Sequence, residues 1–207
     1  MIPLTLKIAQ VGPWPVNAYA LICPTTGQSV LFDPGADPDA LTALLADSTP
    51  TAILLTHSHP DHIGALDEMK RRLNVPVMAH PGRRGIGPEA DIWLKEGDRV
   101  KVGEHTLRVY YAPGHIDDQI CFAVENDKRV IVGDTIFDGG PGKTWSAEGF
   151  QTTLQTLRQV VIPWPDETIC YPGHGPHFVL GENRADIATF LSKAHPPGFF
   201  GDATWDM

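Results

Sequence analysis

Apolar positions fall into short runs of strand length, interrupted by stretches with helical spacing. Strands are predicted at Leu4–Ile8, Tyr19–Cys23 and Val30–Asp33, with Pro24-Thr25-Thr26-Gly27 marking a hairpin turn between the last two. Asp37-Pro38 signals a helix start, since proline is tolerated in a first turn, and Leu41, Leu44 and Leu45 share one face. Ala52-Ile53-Leu54-Leu55 reads as a buried strand, and Pro76–Ala79 as another. Between them Ile63, Leu66, Met69 and Leu73 form an apolar helical stripe, with Asp67, Glu68, Lys70 and Arg71 facing water. Gly82 to Ala90, rich in Gly, Pro and Arg, is expected to be a loop. From Asp91 to Gly133 strand-like runs alternate with turns such as Glu96-Gly97-Asp98 and Glu125-Asn126-Asp127. A helix is predicted after Ser146, because Phe150, Leu154, Leu157 and Val161 fall on one face. A last strand runs to Tyr171, and a final helix covers about Glu182 to Lys193.

This order repeats as strands, helix, strand, helix in each half. Two sheets with outer helices can pack face to face as a four-layer αββα sandwich, which layer rules allow without demanding. At 207 residues the expectation is a single domain spanning 1–207. The net charge of −9, with no basic run, counts against nucleic acid as a substrate. Cys23, Cys121 and Cys170 are widely spaced in apolar runs, as expected of buried thiols in a reducing compartment. No signal-peptide pattern and no membrane-spanning apolar stretch is evident. The expectation is a cytoplasmic protein, monomer or homodimer, acting on a small molecule and not on a membrane.

The chemistry concentrates in Thr56-His57-Ser58-His59-Pro60-Asp61-His62, three histidines and one aspartate in a six-residue window. Imidazole and carboxylate are the ligands of zinc and similar ions. His57 and His59 would lie on opposite sides of a helix, and an interior Pro60 would break one, so these ligands are expected on a loop after a strand. Three further runs end in glycine and deliver His115, Asp134 and His174. Seven candidate ligands exceed the four of one tetrahedral zinc and fit two metals sharing a bridge.

The pattern H-x-H-x-D-H, then Gly114-His115, Gly133-Asp134-Thr135-Ile136-Phe137 and Gly173-His174-Gly175, resembles the metallo-β-lactamase-fold hydrolase superfamily. The likeness runs from Asn17-Ala18-Tyr19 to Gly175 and is closest to the small glyoxalase II-like (hydroxyacylglutathione hydrolase-like) branch. It implies the αββα sandwich of two mixed sheets, with the site along one edge. It also implies that His57, His59 and His115 bind one metal, that Asp61, His62 and His174 bind the second, and that Asp134 bridges them. The implied cofactor is two divalent ions, zinc by expectation, with iron or manganese as alternatives. The implied reaction is attack of a metal-bridging hydroxide on the carbonyl of a small thioester such as a hydroxyacylglutathione. Asp61 is the expected catalytic residue, orienting the hydroxide. Lys143 and Trp145, after Gly139–Gly142, are the expected substrate-binding residues, by likeness to a Gly-Lys segment that contacts glutathione in glyoxalase II. Alternatives are a mononuclear-iron persulfide dioxygenase and a lactone or ester hydrolase.

Several residues carry narrower expectations. Asp33 is either an acceptor for the outer N–H of a histidine ligand or a turn carboxylate. Asp117 and Asp118 follow His115 where many relatives carry small residues; either they face the substrate or they bond to a turn. His80 is expected to be structural, His177 to rim the site, and His105 and His195 to lie on the surface. Pro196–Phe200 is expected to pack on the domain or a second subunit.

Overall fold

The computed structural model describes residues 2–82 and 89–207, so most of the loop expected over Gly82 to Ala90 lies outside the described residues. The first half runs β1 (Thr5–Val11), β2 (Val16–Ile22), β3 (Gln28–Phe32), α1 (Pro38–Leu44), β4 (Thr49–Leu54), α2 (Pro60–Ile63), α3 (Leu66–Leu73), β5 (Val77–Ala79) and β6 (Ile92–Trp93). These six strands form one sheet in sequence order, antiparallel through β3 and parallel from β3 to β6. The second half runs β7 (Arg99–Val102), β8 (His105–Tyr111), β9 (Ile120–Val124) and β10 (Arg129–Gly133). The ribbon β11 (Ile136–Phe137) and β12 (Gly140–Pro141) follows, then α4 (Ala147–Thr156), β13 (Ile169–Pro172), β14 (Phe178–Val179) and α5 (Leu180–Ser192). Its main sheet has the order β14-β13-β10-β9-β8-β7, with β10 and β13 parallel and the other neighbours antiparallel.

Alternate side chains on the strands build three apolar layers, as the two-residue period of a strand requires. Tyr19, Leu21, Val30, Phe32 and Leu54 point between the sheets and meet Leu107, Val109, Ile120, Phe122 and Ile131. Their neighbours Ala18, Ala20, Leu31 and Ile53 point outward against Leu41, Leu45, Leu66 and Met69 of the first helices. On the other side Cys121, Val130, Val132 and Cys170 meet Phe150, Leu154, Leu157, Ile187 and Phe190 of the last helices. Helix, sheet, sheet, helix is the four-layer sandwich. Each fully buried Leu or Phe contributes about 1.5–3 kcal/mol relative to exposure, so this layered core supplies the rigid frame for the loops at its edge.

Local outcomes differ from the expectations in definable ways. Pro60 starts the helical turn α2 and does not exclude one; it sits at the first position, where its missing N–H has no partner to lose. His57 and His59 therefore precede a helix, while Asp61 and His62 lie on it. The stripe after Ser146 is buried as expected, and the Ser146 hydroxyl accepts from Gly149 N at 3.0 Å, but its last turn, Leu157–Val161, is π-helical. The strand ending near Tyr171 is followed by β14, and the final helix begins at Leu180. His105 is not on the surface: it is buried, with Nε2 bonded to the Ile2 carbonyl at 3.0 Å. His195 is half-buried between Phe150 and Phe190 and bonds to the Phe190 carbonyl at 2.9 Å. Both imidazoles satisfy a backbone carbonyl, and His195 also fills apolar space between rings, a use that short sequence windows do not reveal. All three cysteines are buried and free. Phe199 packs edge-on against Phe150, so the apolar tail does dock on the domain. Among the described residues no helix is long and apolar enough to cross a membrane.

Candidate metal centre

The parallel pairs β3/β4 and β10/β13 end along one edge of the sandwich and deliver polar groups to one place. Asp33 follows β3, Thr56 and His57 follow β4, Asp134 follows β10 and His174 follows β13. Close approach there depends on two glycines. Gly133 has φ +51°, and a Cβ on it would come within 2.5 Å of Thr56 Oγ1. A Cβ on Gly173 would lie 2.2 Å from Asp134 Oδ1 and 2.5 Å from His62 Cε1. Larger residues at either position would fill the cradle between the two halves.

All seven sequence-predicted ligands converge. His57, His59 and His115 can turn one ring nitrogen each to a common point, with His59 Nδ1 3.1 Å from His57 Nε2 and 2.9 Å from His115 Nε2. Asp61, His62 and His174 form a second such group, with His174 Nε2 3.3 Å from Asp61 Oδ2. Asp134 lies between them: Oδ2 is 3.5 Å from His115 Nε2 and 3.6 Å from His174 Nε2, and Oδ1 is 3.5 Å from His62 Nε2.

The outward nitrogens of His57, His62, His115 and His174 are held. His57 Nδ1 meets Thr56 Oγ1 at 3.0 Å, His62 Nδ1 meets Asp33 Oδ2 at 3.0 Å, His115 Nδ1 meets the Lys143 carbonyl at 2.7 Å, and His174 Nδ1 meets the Pro15 carbonyl at 3.0 Å. An acceptor on one ring nitrogen places the proton there and leaves the other as a lone pair for a metal. Asp33 is thus a buried acceptor, and it also takes Thr56 N at 2.8 Å and Thr56 Oγ1 at 2.7 Å.

The electrostatics fit a cation. Burial pushes His57 well below its ordinary range, reinforced by His62, His115, His59 and His174. Burial likewise takes His115 down to about 3, with His59 adding to it. Burial pushes the Asp134 carboxyl up to about 6, against the nearby His62 and His174. Burial pulls His62 down, but the Asp33 hydrogen bond and the charges of Asp33, Asp134 and Asp61 outweigh it and leave it raised. His62 Nε2 and Asp134 Oδ1 are buried without a hydrogen-bond partner. Buried polar atoms are costly when unpaired, and a divalent ion would satisfy both. The residues present suit divalent metal binding.

A cavity of about 790 Å³ opens over the centre, with Asp61, His115 and Asp134 in its floor. Ile116, Phe137, Pro141 and Trp145 wall it, and Lys143 and Asp202 also line it. Lys143 Nζ lies 5.2 Å from the centroid of the Trp145 ring. Asp117 and Asp118 are not in this lining. Asp118 is buried, and burial raises its carboxyl against hydrogen bonding from Ser58; the Asp117 carbonyl accepts from Tyr111 Oη at 2.8 Å. Asp117 Oδ1 lies 3.3 Å from the same Tyr111 hydroxyl, a contact of the loop-bonding kind, while Asp117 also lines a neighbouring groove with His115 and Trp145. His80 stacks on Tyr111, in keeping with a structural role, and His177 stacks on Tyr171 and does not line the cavity. Sequence reading missed Thr56 as a bonding partner, Phe137 as a wall and Asp202 altogether. Thr56 and Phe137 adjoin recognised motifs, a signal that could have found them. Asp202 has no such signal.

Known proteins resemble this chain along most of its length. A probable metallo-hydrolase of Bacillus subtilis, YqgX, is 34% identical over 187 residues, covering 80% of this chain and 88% of that protein. A hydroxyacylglutathione hydrolase of Rhodopseudomonas palustris is 34% identical over 157 residues, covering 75% of this chain, which spans 61% of that relative's length. The crystal structure of ETHE1 from Myxococcus xanthus superposes with a TM-score of 0.80 at 27% identity, covering 92% of this chain and 86% of that one. Residues 11–174 match the Lactamase_B family, and with two mixed sheets and a histidine–aspartate cluster at their edge, the chain belongs to the metallo-beta-lactamase superfamily.

Proposed function

We propose that this chain hydrolyses a small thioester, such as a hydroxyacylglutathione, with two divalent metal ions. His57, His59 and His115 would hold one ion and Asp61, His62 and His174 the other, with Asp134 between them. The observation that carries the proposal is the position of Asp134, within 3.6 Å of nitrogens from both histidine groups. When bound, such ions supply a hydroxide near neutral pH and a Lewis acid for a carbonyl oxygen. The chain's residues do the rest. Asp61, beside His174 and lining the cavity, would orient the nucleophile by accepting a hydrogen bond from it. The Thr56, Asp33, Lys143 and Pro15 oxygens fix the histidine tautomers. Ile116, Phe137 and Pro141 offer an apolar wall for the acyl chain, and Lys143 and Trp145 meet the thiol part.

The test is elemental analysis of protein purified without added metal, alongside thiol release from a thioester panel. About two zinc per chain with thiol release is the expected result. The compactness of the His57–His59–His115 group alone supports a second reading, one iron serving persulfide oxidation. About one iron, with oxygen consumed on glutathione persulfide and no thiol release, would replace the first reading with the second.

A further inference from the structure

The cavity over the centre contains one charged pair that the ligand set does not use. Lys143 Nζ lies 3.2 Å from Asp202 Oδ2. Apart from Asp61 and Asp134 in the floor, these two side chains are the formal charges among the described lining residues. Asp202 is there by construction of the backbone. On one side Gly201 N donates to Thr144 O at 2.9 Å, and Gly201 O accepts from Thr144 N at 3.0 Å. On the other side Trp205 is buried, its Nε1 donating to Asp138 O at 3.0 Å and its backbone N to Gly139 O at 3.1 Å. Ala203 packs so closely that a Cβ on Gly140 would come within 2.2 Å of its carbonyl. The segment carrying Asp202 is therefore fastened to the same loop that carries Lys143.

The Asp202 side chain is 81% exposed and that of Lys143 44%. An exposed pair does little for stability, so its consequence lies in what the cavity accepts. Lys143 alone would make the cavity mouth cationic and favour an anionic thiol part; Asp202 cancels that charge. We propose that Asp202 is a specificity-determining residue: it shifts preference toward substrates whose thiol part carries no net charge. This rests on the thioester reading above for the identity of the substrate, but charge selection can be measured without turnover.

The experiment is calorimetric titration of the metal-loaded protein with two inert thioethers, S-hexylglutathione, which is anionic, and the uncharged S-hexyl-N-acetylcysteamine. Asp202→Asn should bind the anionic thioether about fivefold more tightly than wild type at low salt, and less so at high salt. Lys143→Gln should weaken the same ligand by a similar factor. The uncharged thioether is the reference and should move by less than about twofold in both variants. An unchanged ratio of the two affinities in Asp202→Asn, including undetectable binding of both, overturns the proposal. Absence of thiol release by wild type, with the ratio shifting as stated, sinks the thioester reading and leaves the charge selection standing.

Discussion

Asp33 offers the sharpest test of how the sequence builds the centre. It is buried, and its carboxylate accepts from Thr56 N, Thr56 Oγ1 and His62 Nδ1. Asp33→Asn keeps the shape and suits the backbone, since φ is +48° and asparagine tolerates the left-handed region. Yet either amide orientation sets an NH2 against a donor. Facing Thr56 N, it clashes with an N–H that cannot move. Facing His62, it forces the imidazole proton onto Nε2, the atom that looks at Asp134. One unsatisfied buried donor costs about 1–3 kcal/mol, or roughly 2–12 °C in melting temperature for a chain of this size. The wrong tautomer should weaken the metal proposed at His62 by about 10- to 100-fold. Asp33→Ala should be worse, losing all three bonds and placing alanine in a strained conformation at about 1–2 kcal/mol more. The assay is metal content after dialysis against a graded chelator series, with melting curves on the metal-free forms. An Asp33→Asn protein that retains both metals as wild type does, and melts with it, would refute this reasoning.

Other outcomes can be checked alongside it. Asp134→Ala and His59→Ala should each abolish thiol release while circular dichroism remains that of a folded chain; near-normal turnover in Asp134→Ala would sink the dinuclear mechanism. Lys143→Ala should raise KM for anionic thioesters more than it lowers kcat, because a remote contact acts similarly in ground and transition states; an unchanged KM for every anionic thioester would remove Lys143 from the substrate site. Metal-free protein should lose stability as pH falls. His115 is held down to about 3 and stays neutral when folded, while the unfolded chain takes up that proton below about 6.5. Its stabilisation is full above that pH and lost progressively down to about 3, roughly 2 kcal/mol between pH 7.5 and 5. His57 and His59 act in the same direction, whereas Asp134, raised to about 6, and His62, raised by its bond to Asp33, oppose them. Urea midpoints at the two pH values measure the sum, and a midpoint that rises on acidification would contradict the sign.

The cluster of candidate ligands was legible because each member sits in a recognisable local context: a histidine-rich window after an apolar run, or a single His or Asp after glycine. The sandwich was legible from the order of elements together with family resemblance. Local rules failed where tertiary packing decides. Pro60 reads as a breaker or as a helix start depending on whether it lies first in the turn, and that follows from how the His57 loop is anchored. His105 looks like a surface residue until the Ile2 carbonyl reaches it across 103 positions. The π-helical turn at Leu157–Val161 leaves the apolar stripe intact, so periodicity passes over it. Asp202 and Lys143 lie 59 positions apart (202 − 143), and the docking of the tail on Asp138–Gly140 and Thr144 joins them.

The two halves of the sandwich meet at the site through more than the proposed ligands. Asn17 Nδ2 donates to the Pro172 and Gly175 carbonyls at 3.0 and 2.7 Å, and Tyr19 Oη donates to Pro172 O at 2.6 Å, stitching β2 to the end of β13. His57, His59, Asp61 and His62 come from the first half, whereas His115, Asp134 and His174 come from the second. Ions bound there would act as rivets across the seam, adding to the free energy of opening in proportion to the logarithm of their concentration over Kd. Hydrogen exchange should register this unevenly: chelation should speed exchange at Asn17 N, which donates to Gly173 O at 2.7 Å, and at Gly173 N, which donates to Gly133 O at 2.9 Å. Amides on the far ends of the same strands should scarcely change.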